Sequence, residues 1–338
     1  VKRRTLGVTG MSVSEFCLGT MMLGSMGNPD HRESVGIIHT ALDAGINFVD
    51  TADVYSGGES EEIVGEALKG RRDDVVLATK FALPTGADPN RRGGSPRWVA
   101  RAVEASLRRL GTDYIDLYQM HRPDRDTALD ETLSALSDLV HAGKVRAVGS
   151  STFPAELMVE AQWAADRHRL RPFRTEQPRY SILSRTVEAA VLPTAQRFGM
   201  GVLTYGPLSA GWLSGREDPT TGHRAQGLGA RSFDLEVAAN RAKQGAVAQL
   251  SLLAADAGLS MTTMATAFVR AHPGVTSVII GPRTPEQLED LLAGSEAVLD
   301  DGVLDRIDEI VLPGTELNRG DNYFATHPAI EDKRLRRR

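Results

Sequence analysis

Asp50, Tyr55, Lys80 and His121 are the residues of this chain best suited to act together. Each lies at or just past the end of an apolar, strand-like run. Asp50 follows Ile46-Asn47-Phe48-Val49, with Tyr55 a few residues on. Lys80 follows Val75-Val76-Leu77-Ala78-Thr79, and His121 follows Tyr114-Ile115-Asp116-Leu117-Tyr118-Gln119-Met120. If those strands are parallel and adjacent, an acid, a phenol, an amine and an imidazole meet at one mouth. That set can deliver a proton to a carbonyl oxygen. A free phenol has a pKa of about 10, too high for efficient transfer near neutrality. A neighbouring ammonium stabilises phenolate and lowers that value. Lys80 is placed to do this, Asp50 to hold Lys80, and His121 to donate to or polarise the oxygen as half of an oxyanion hole. Singly, each residue has a plainer reading as packing or as a structural ion pair; the four together read as an enzyme. Only six of the 39 basic residues are lysines. In such a chain Lys80 stands out, because an ammonium is a compact charge that tunes a neighbour, whereas Arg brings a rigid fork.

The elements that must position these side chains follow a rhythm. Two short strands around Thr9-Gly10 open the chain as a hairpin. Strand patterns then recur at residues 16–18, 46–49, 75–79, 114–120, 147–149, 174–177, 201–205 and 277–280. Between them lie helical patterns at 31–44, 60–68, 96–110, 127–142, 154–167, 186–198, 235–257 and 261–272. Pro96 after Ser95 marks a helix start, and Gly143 a helix end. Eight strands alternating with helices, without a long linker, predict a single (β/α)8 TIM barrel domain rather than two domains. A doubly wound sheet is the second choice. The hairpin would plug the barrel bottom. Residues 211–244, rich in Gly, Arg and Thr, are expected to form a long loop after strand seven, on the mouth side.

Composition narrows the function. The 338 residues are 41% apolar and 25% charged, ordinary for a soluble globular protein. A net charge of −5 gives no reason to expect nucleic acid. No apolar run reaches the roughly 20 residues of a membrane helix, and the charged N-terminus lacks the apolar stretch of a signal peptide. The single cysteine, Cys17, excludes an internal disulfide or a multi-cysteine metal site and reads as a core residue. These features point to the cytoplasm, with no metal, no nucleic acid and no membrane partner, as a monomer or homo-oligomer. The basic tail, 326–338, reads as a frayed end. Side chains cannot donate hydride, so carbonyl reduction needs a cofactor. No Gly-x-Gly-x-x-Gly follows an early strand, so a Rossmann dinucleotide site is not expected.

Several segments in order carry a family resemblance. These are Phe16-Cys17-Leu18-Gly19-Thr20-Met21, Gly45-Ile46-Asn47-Phe48-Val49-Asp50-Thr51-Ala52-Asp53-Val54-Tyr55, Gly58-Glu59-Ser60-Glu61, Asp113 to His121, Gly143-Lys144-Val145-Arg146-Ala147-Val148-Gly149, Tyr205-Gly206-Pro207-Leu208-Ser209-Ala210-Gly211 and Gly281-Pro282-Arg283-Thr284-Pro285-Glu286-Gln287-Leu288. Over residues 2–325 the chain resembles the aldo-keto reductase superfamily. It looks closest to the long-loop branch that holds bacterial sugar-aldehyde and deoxysugar reductases and the β subunits of potassium channels. The resemblance implies the same four catalytic positions and NADPH/NADP+ lying extended across the barrel mouth. It implies Gly19, Thr20 and Met21 at the cofactor's inner end, and Ser151, Thr152 and Gln177 at the carboxamide. Tyr205 would stack on the nicotinamide. The backbone of Gly206, Pro207 and Leu208 and the side chain of Arg216 would approach the pyrophosphate, Arg283 would face the 2′-phosphate, Gln287 and Asp290 would lie near the adenosine, and Gly211, Arg231 and Gly281 would also bind the cofactor. A guanidinium fork suits phosphate, which favours NADPH over NADH. Three departures stand out: Thr152 where relatives often carry Asn, Gly206 where Ser is common, and Leu291 where Asn is common.

The small-molecule carbonyl substrate depends on the loops. Residues 84–94, with Arg91 and Arg92, could recognise a phosphate or nucleotide-sugar, or be a solvated basic loop. A keto-sugar or natural-product carbonyl is the expectation behind a generic aldehyde. The alternative to an enzyme is an NADPH-binding regulatory subunit like the channel β subunits, with little turnover.

Overall fold

The computed structural model describes residues 1–227, 229–321, 333–335 and 337, so most of the basic tail lies outside the described residues. The chain opens with the antiparallel hairpin β1 (Arg3–Thr5) and β2 (Ser12–Ser14). Eight strands follow: β3 (Phe16–Gly19), β4 (Phe48–Asp50), β5 (Val76–Phe81), β6 (Ile115–Met120), β7 (Val145–Ser151), β8 (Thr175–Gln177), β9 (Gly201–Thr204) and β10 (Ser277–Ile280). They pair in parallel in chain order, and β10 closes onto β3 as a barrel. All eight expected strands are present, within two residues at each end.

Strand alternation sorts the side chains. Successive residues point to opposite faces, so Phe16, Leu18, Val49 and Leu77 join the core between strands and helices. Cys17, Phe48, Ala78, Leu117, Ala147, Leu203 and Ile279 fill the barrel interior, where Leu6 and Val13 of the hairpin region pack against them. The hairpin does plug the bottom. At its turn a Cβ on Gly7 would lie 2.3 Å from the Gly201 nitrogen, so the tip fits only as glycine. Moving two residues along β4, β5 and β6 from Phe48, Ala78 and Leu117 reaches Asp50, Lys80 and Gln119. The same period that fills the barrel therefore stacks a polar layer on the apolar one.

Around the barrel run α1 (His31–Asp43), α2 (Glu59–Ala67), α3 (Pro96–Leu110), α4 (Leu129–His141), α5 (Ala155–His168), α6 (Val191–Arg197), α7 (Ala238–Asp256), α8 (Met261–Ala271), α9 (Pro285–Ala293) and α10 (Asp301–Ile310). Ser95 caps α3 by accepting from the Trp98 nitrogen, with Pro96 in the first turn. Three expectations change. The helix expected over 186–198 is a short turn, Thr186–Glu188, and a separate α6, because Pro193 is tolerated only in a first turn. The long loop ends at Val237 rather than near Gln244, since α7 starts at Ala238. Helices α9 and α10 were not anticipated, although Thr284 and Asp300 cap them through the Gln287 and Val303 nitrogens. No single described helix is long and apolar enough to cross a membrane; α7 and α8 reach that apolarity only together, and they turn by 93°.

Candidate active site

At the C-terminal mouth of the barrel the four sequence-predicted residues meet. Lys80 Nζ donates to Asp50 Oδ2 at 2.5 Å, to the Thr51 carbonyl at 2.8 Å and to the Tyr55 hydroxyl at 3.1 Å. The same ammonium lies 4.8 Å from the centre of the Tyr55 ring. His121, one residue past β6, stands edge-on to Tyr55 with ring centres 5.8 Å apart. Asp50, Lys80 and His121 are buried. Gln119 and Gln177 donate to Asp50 Oδ1 at 3.0 and 2.9 Å. Asp50 is thus held on both oxygens, and Lys80 by three acceptors. A buried ion pair needs such satisfaction to be tolerated.

The charge states follow from these contacts. Burial opposes charge on Lys80, but Asp50 and Tyr55 outweigh it and hold its pKa above the ordinary value. For Tyr55 burial is the largest influence; Lys80 pulls the phenol down as expected, yet the net pKa is raised from 10.0. The expected lowering of the phenol pKa by Lys80 therefore has the right sign for the pair and the wrong sign for the sum, because burial costs phenolate more hydration than Lys80 repays. Burial, then Lys80 and Arg122, push His121 well below 6.5, so its ring is neutral. Its Nδ1 is buried and has no protein hydrogen-bond partner. The site therefore presents a protonated phenol, an ammonium behind it and a neutral imidazole beside it. That arrangement can give one proton to an oxygen placed between Tyr55 and His121.

Backbone strain gathers at the same mouth. Among the described non-glycine residues with positive φ, Ser56, Ala82, Thr152, Ser209 and Ala210 all follow C-terminal ends of barrel strands. Such conformations cost on the order of 1–3 kcal/mol each and cluster at functional sites. The other described case, Arg169, only ends α5. A surface groove lined by Arg72, Asp73, Glu104, Tyr114 and Lys144 lies near the starts of β5, β6 and β7, away from this chemistry.

The aldo/keto reductase family model matches residues 15–312. The chain is 40% identical over 326 residues to YrpG, an uncharacterized oxidoreductase of Bacillus subtilis, covering 91% of this chain and 95% of that protein. It is 39% identical over 290 residues to the aldo-keto reductase YhdN of the same organism, covering 84% and 85%. It is also 32% identical over 323 residues to a probable voltage-gated potassium channel subunit beta of Arabidopsis thaliana, covering 91% and 96%. The chain belongs to the aldo/keto reductase family. It is an oxidoreductase of a family that generally uses NAD(P)H.

Of the residues that the family resemblance places at the cofactor, Thr20 and Gln177 touch the tetrad at Asp50. The Thr20 hydroxyl is buried against the Asp50 carbonyl at 3.2 Å and Ser60 Oγ at 2.8 Å, so it ties β3 to β4 and α2. Gly19 is close-packed, since a Cβ there would lie 2.5 Å from Ile279. Ser151 donates to the Gln177 carbonyl at 3.0 Å, while the Gln177 amide nitrogen faces Asp50. Thr152 has φ +60 and receives Arg122 Nη1 at 2.9 Å. Past β9, Tyr205 is half-buried and Leu208 packs on the core edge. Gly206 (φ +72) and Gly211 (φ +118) turn with open space where a side chain would be. Gly281 is exposed, and a Cβ there would meet nothing nearer than 3.8 Å. The turn from 206 to 211 thus forms a cradle with glycine at both ends, and α9 starts just past the neighbouring strand β10. There the Arg283 nitrogen donates to Gln287 Oε1 at 2.8 Å and its carbonyl accepts from Asn28. Asp290 is exposed on α9, and Leu291 is buried core.

Arg216 and Arg231 are exposed on the long loop. The loop arginine that reaches inward is Arg224, which sequence reasoning passed over. One arginine among many in a Gly- and Arg-rich stretch carries no signal of its own. Cys17 is buried in the barrel interior, and its thiol pKa is pushed well up by burial and then by Asp50, in keeping with an inert core residue.

Proposed function

We propose that this protein reduces an aldehyde or ketone to the alcohol with NADPH, and that Tyr55 supplies the proton. The observation that carries the reading is the Lys80 ammonium joined to both Asp50 and the Tyr55 hydroxyl, beside a neutral His121. NADPH supplies the hydride when bound. Tyr55 gives its hydroxyl proton to the carbonyl oxygen, so the Tyr55 O–H bond breaks as the alcohol O–H bond forms. Lys80, anchored by Asp50 and the Thr51 carbonyl, stabilises the phenolate left behind. His121 fixes and polarises the carbonyl oxygen from the side. A phenol whose pKa lies above 10.0 is protonated at neutral pH, the state that reduction requires, and Lys80 offsets part of the cost of giving that proton up.

The cradle at Gly206–Gly211 is open to a pyrophosphate, and Tyr205 lies where a nicotinamide ring could stack. The family resemblance puts Ser151 and Gln177 at the nicotinamide carboxamide, with Thr152 beside them. Arg283, at the start of α9, suits a 2′-phosphate, because a guanidinium fork matches an anion of that shape. Incubating the purified protein with NADPH and a panel of aldehydes, ketones and keto-sugars tests the proposal. Cofactor oxidation that depends on the carbonyl is expected. No oxidation with any carbonyl, despite bound NADPH, would count for the second reading, a cofactor-binding regulatory subunit. That reading is favoured by the 32% identity to a probable channel β subunit.

A further inference from the structure

Helix α5 is apolar on two faces. Its inward side, Met158, Ala161, Ala164 and Ala165, joins the core around the barrel. Its largest side chain points the other way. Trp163 is 58% exposed, and Val159, one turn before it, is 46% exposed. Among the described residues these are the only two large exposed apolar side chains that share an element. The outer face of α3, by contrast, carries Arg97, Arg101 and Arg108. Single exposed apolar residues are ordinary, but a valine and a tryptophan at i and i+4 form one strip. The charges around the strip are also ordered. Glu160 precedes Trp163 by three residues and Arg167 follows it by four. Both therefore stand on one flank, about 4.5 and 6 Å along the axis to either side of the ring. The Arg167 guanidinium lies 5.1 Å over that ring. Glu160 and Arg167 are exposed, and neither has an ion-pair partner among the described residues. Asp166 stands on the opposite flank.

An apolar strip with an acid before its centre and a base after it, on the same side, is complementary to itself. A half-turn about an axis crossing the helix at Trp163 lays a second copy of α5 antiparallel on the first. The ring then meets its counterpart, and Glu160 of each chain meets Arg167 of the other. Asp166 falls at the rim beside Val159 of the second copy, where it keeps its water. This is an isologous contact, the kind that closes a two-fold dimer.

We propose that the outer face of α5 is a homodimer interface, centred on Trp163 and held in register by two Glu160–Arg167 pairs. No residue of the strip belongs to the tetrad or to the glycine cradle, so the proposal stands apart from the reductase reading. One helix face per chain covers less than the roughly 1,200–2,000 Å² that stable complexes bury. Association is therefore expected at micromolar concentrations, with subunits that exchange readily.

Sedimentation velocity over a concentration series is the assay. Wild type should pass from monomer to dimer as concentration rises. Its tryptophan emission should shift to the blue in step, and that shift reports Trp163, because Trp98 and Trp212 are only 5% and 2% exposed. Glu160→Arg alone sets arginine against arginine, and Arg167→Glu alone sets glutamate against glutamate. Each should weaken dimerisation roughly 10- to 100-fold, since like charges brought together across an interface are costly. An equimolar mixture of the two variants restores opposite charges at both contacts, so a heterodimer should form near the wild-type concentration. That rescue also shows that both variants are folded. Trp163→Ala should weaken the dimer too, with no rescue on mixing. A wild type that stays monomeric with unshifted emission at every concentration overturns the proposal and leaves the strip to another partner. A dimer that neither charge reversal weakens, or a mixture that stays monomeric, overturns it as well.

Discussion

Asp53 gives the sharpest quantitative expectation. Its carboxylate is buried, and neither oxygen has a well-formed protein hydrogen bond. Burial first, then the nearby Glu61 charge, raise its pKa from 3.8 to about 8, against the pull of Arg109, Lys80 and the Val54 backbone. Glu61 is itself committed, holding Arg109 Nε at 2.7 Å and the Thr79 hydroxyl at 2.6 Å. The folded state therefore binds a proton at Asp53 that the unfolded chain releases above about pH 4. Where the native state holds more protons, stability falls as pH rises. The fall runs from the unfolded pKa to the folded one and levels off above about pH 8. Each pH unit in that window is worth about 1.4 kcal/mol, so Asp53 costs roughly 4 kcal/mol at neutral pH relative to a neutral side chain. Asp53→Asn removes the titration while keeping the shape. Urea unfolding of both proteins from about pH 5 to pH 9 is the assay. The stability difference, variant minus wild type, should grow by about 1.4 kcal/mol per pH unit up to near pH 8 and then stay flat. The slope is the readout, because an imperfect fit of the amide shifts every point equally. A difference that is the same at every pH would refute the reasoning.

Two further expectations concern the cofactor side. Thr152 holds φ +60, a conformation that Asn adopts readily and a β-branched residue does not. Thr152→Asn should therefore stabilise the protein by about 1 kcal/mol in denaturant unfolding, and tighten NADPH through the added amide; loss of stability would show that the Arg122 contact matters more than the strain. Arg283→Ala should weaken NADPH roughly 10- to 100-fold and NADH by much less, measured by fluorescence titration. Equal losses for both cofactors would remove Arg283 from the 2′-phosphate.

The barrel was legible because its strands are short apolar runs with clear ends, and because Asp50 and Lys80 fall in step with the interior residues Phe48 and Ala78. His121 follows the same period from Leu117 through Gln119. The four polar residues were therefore readable as one cluster before any contact was known. What periodicity could not show was how the cluster is satisfied. Gln119 and Gln177 support Asp50 from strands 69 and 127 residues away in sequence, and nothing local marks either residue as its partner. The sign of the Tyr55 shift was also hidden, because burial, which no local pattern shows, outweighs Lys80. That loop was recognised by composition, yet composition says nothing about which of its arginines turns inward. Helices α9 and α10 did not stand out although their caps, Thr284 and Asp300, stand in the sequence, because both are short, at nine and ten residues, and follow the last barrel strand.

The central claim is that Tyr55 supplies the proton, and turnover of Tyr55→Phe measures it most directly. The variant removes one oxygen and leaves Lys80 bonded to Asp50 and the Thr51 carbonyl, so the fold and the cofactor cradle should survive. Loss of a positioned general acid is worth about 100- to 10,000-fold. The account predicts a kcat lower by about that much, with NADPH bound as tightly as in wild type. A Tyr55→Phe protein that reduces carbonyls at the wild-type rate would contradict it.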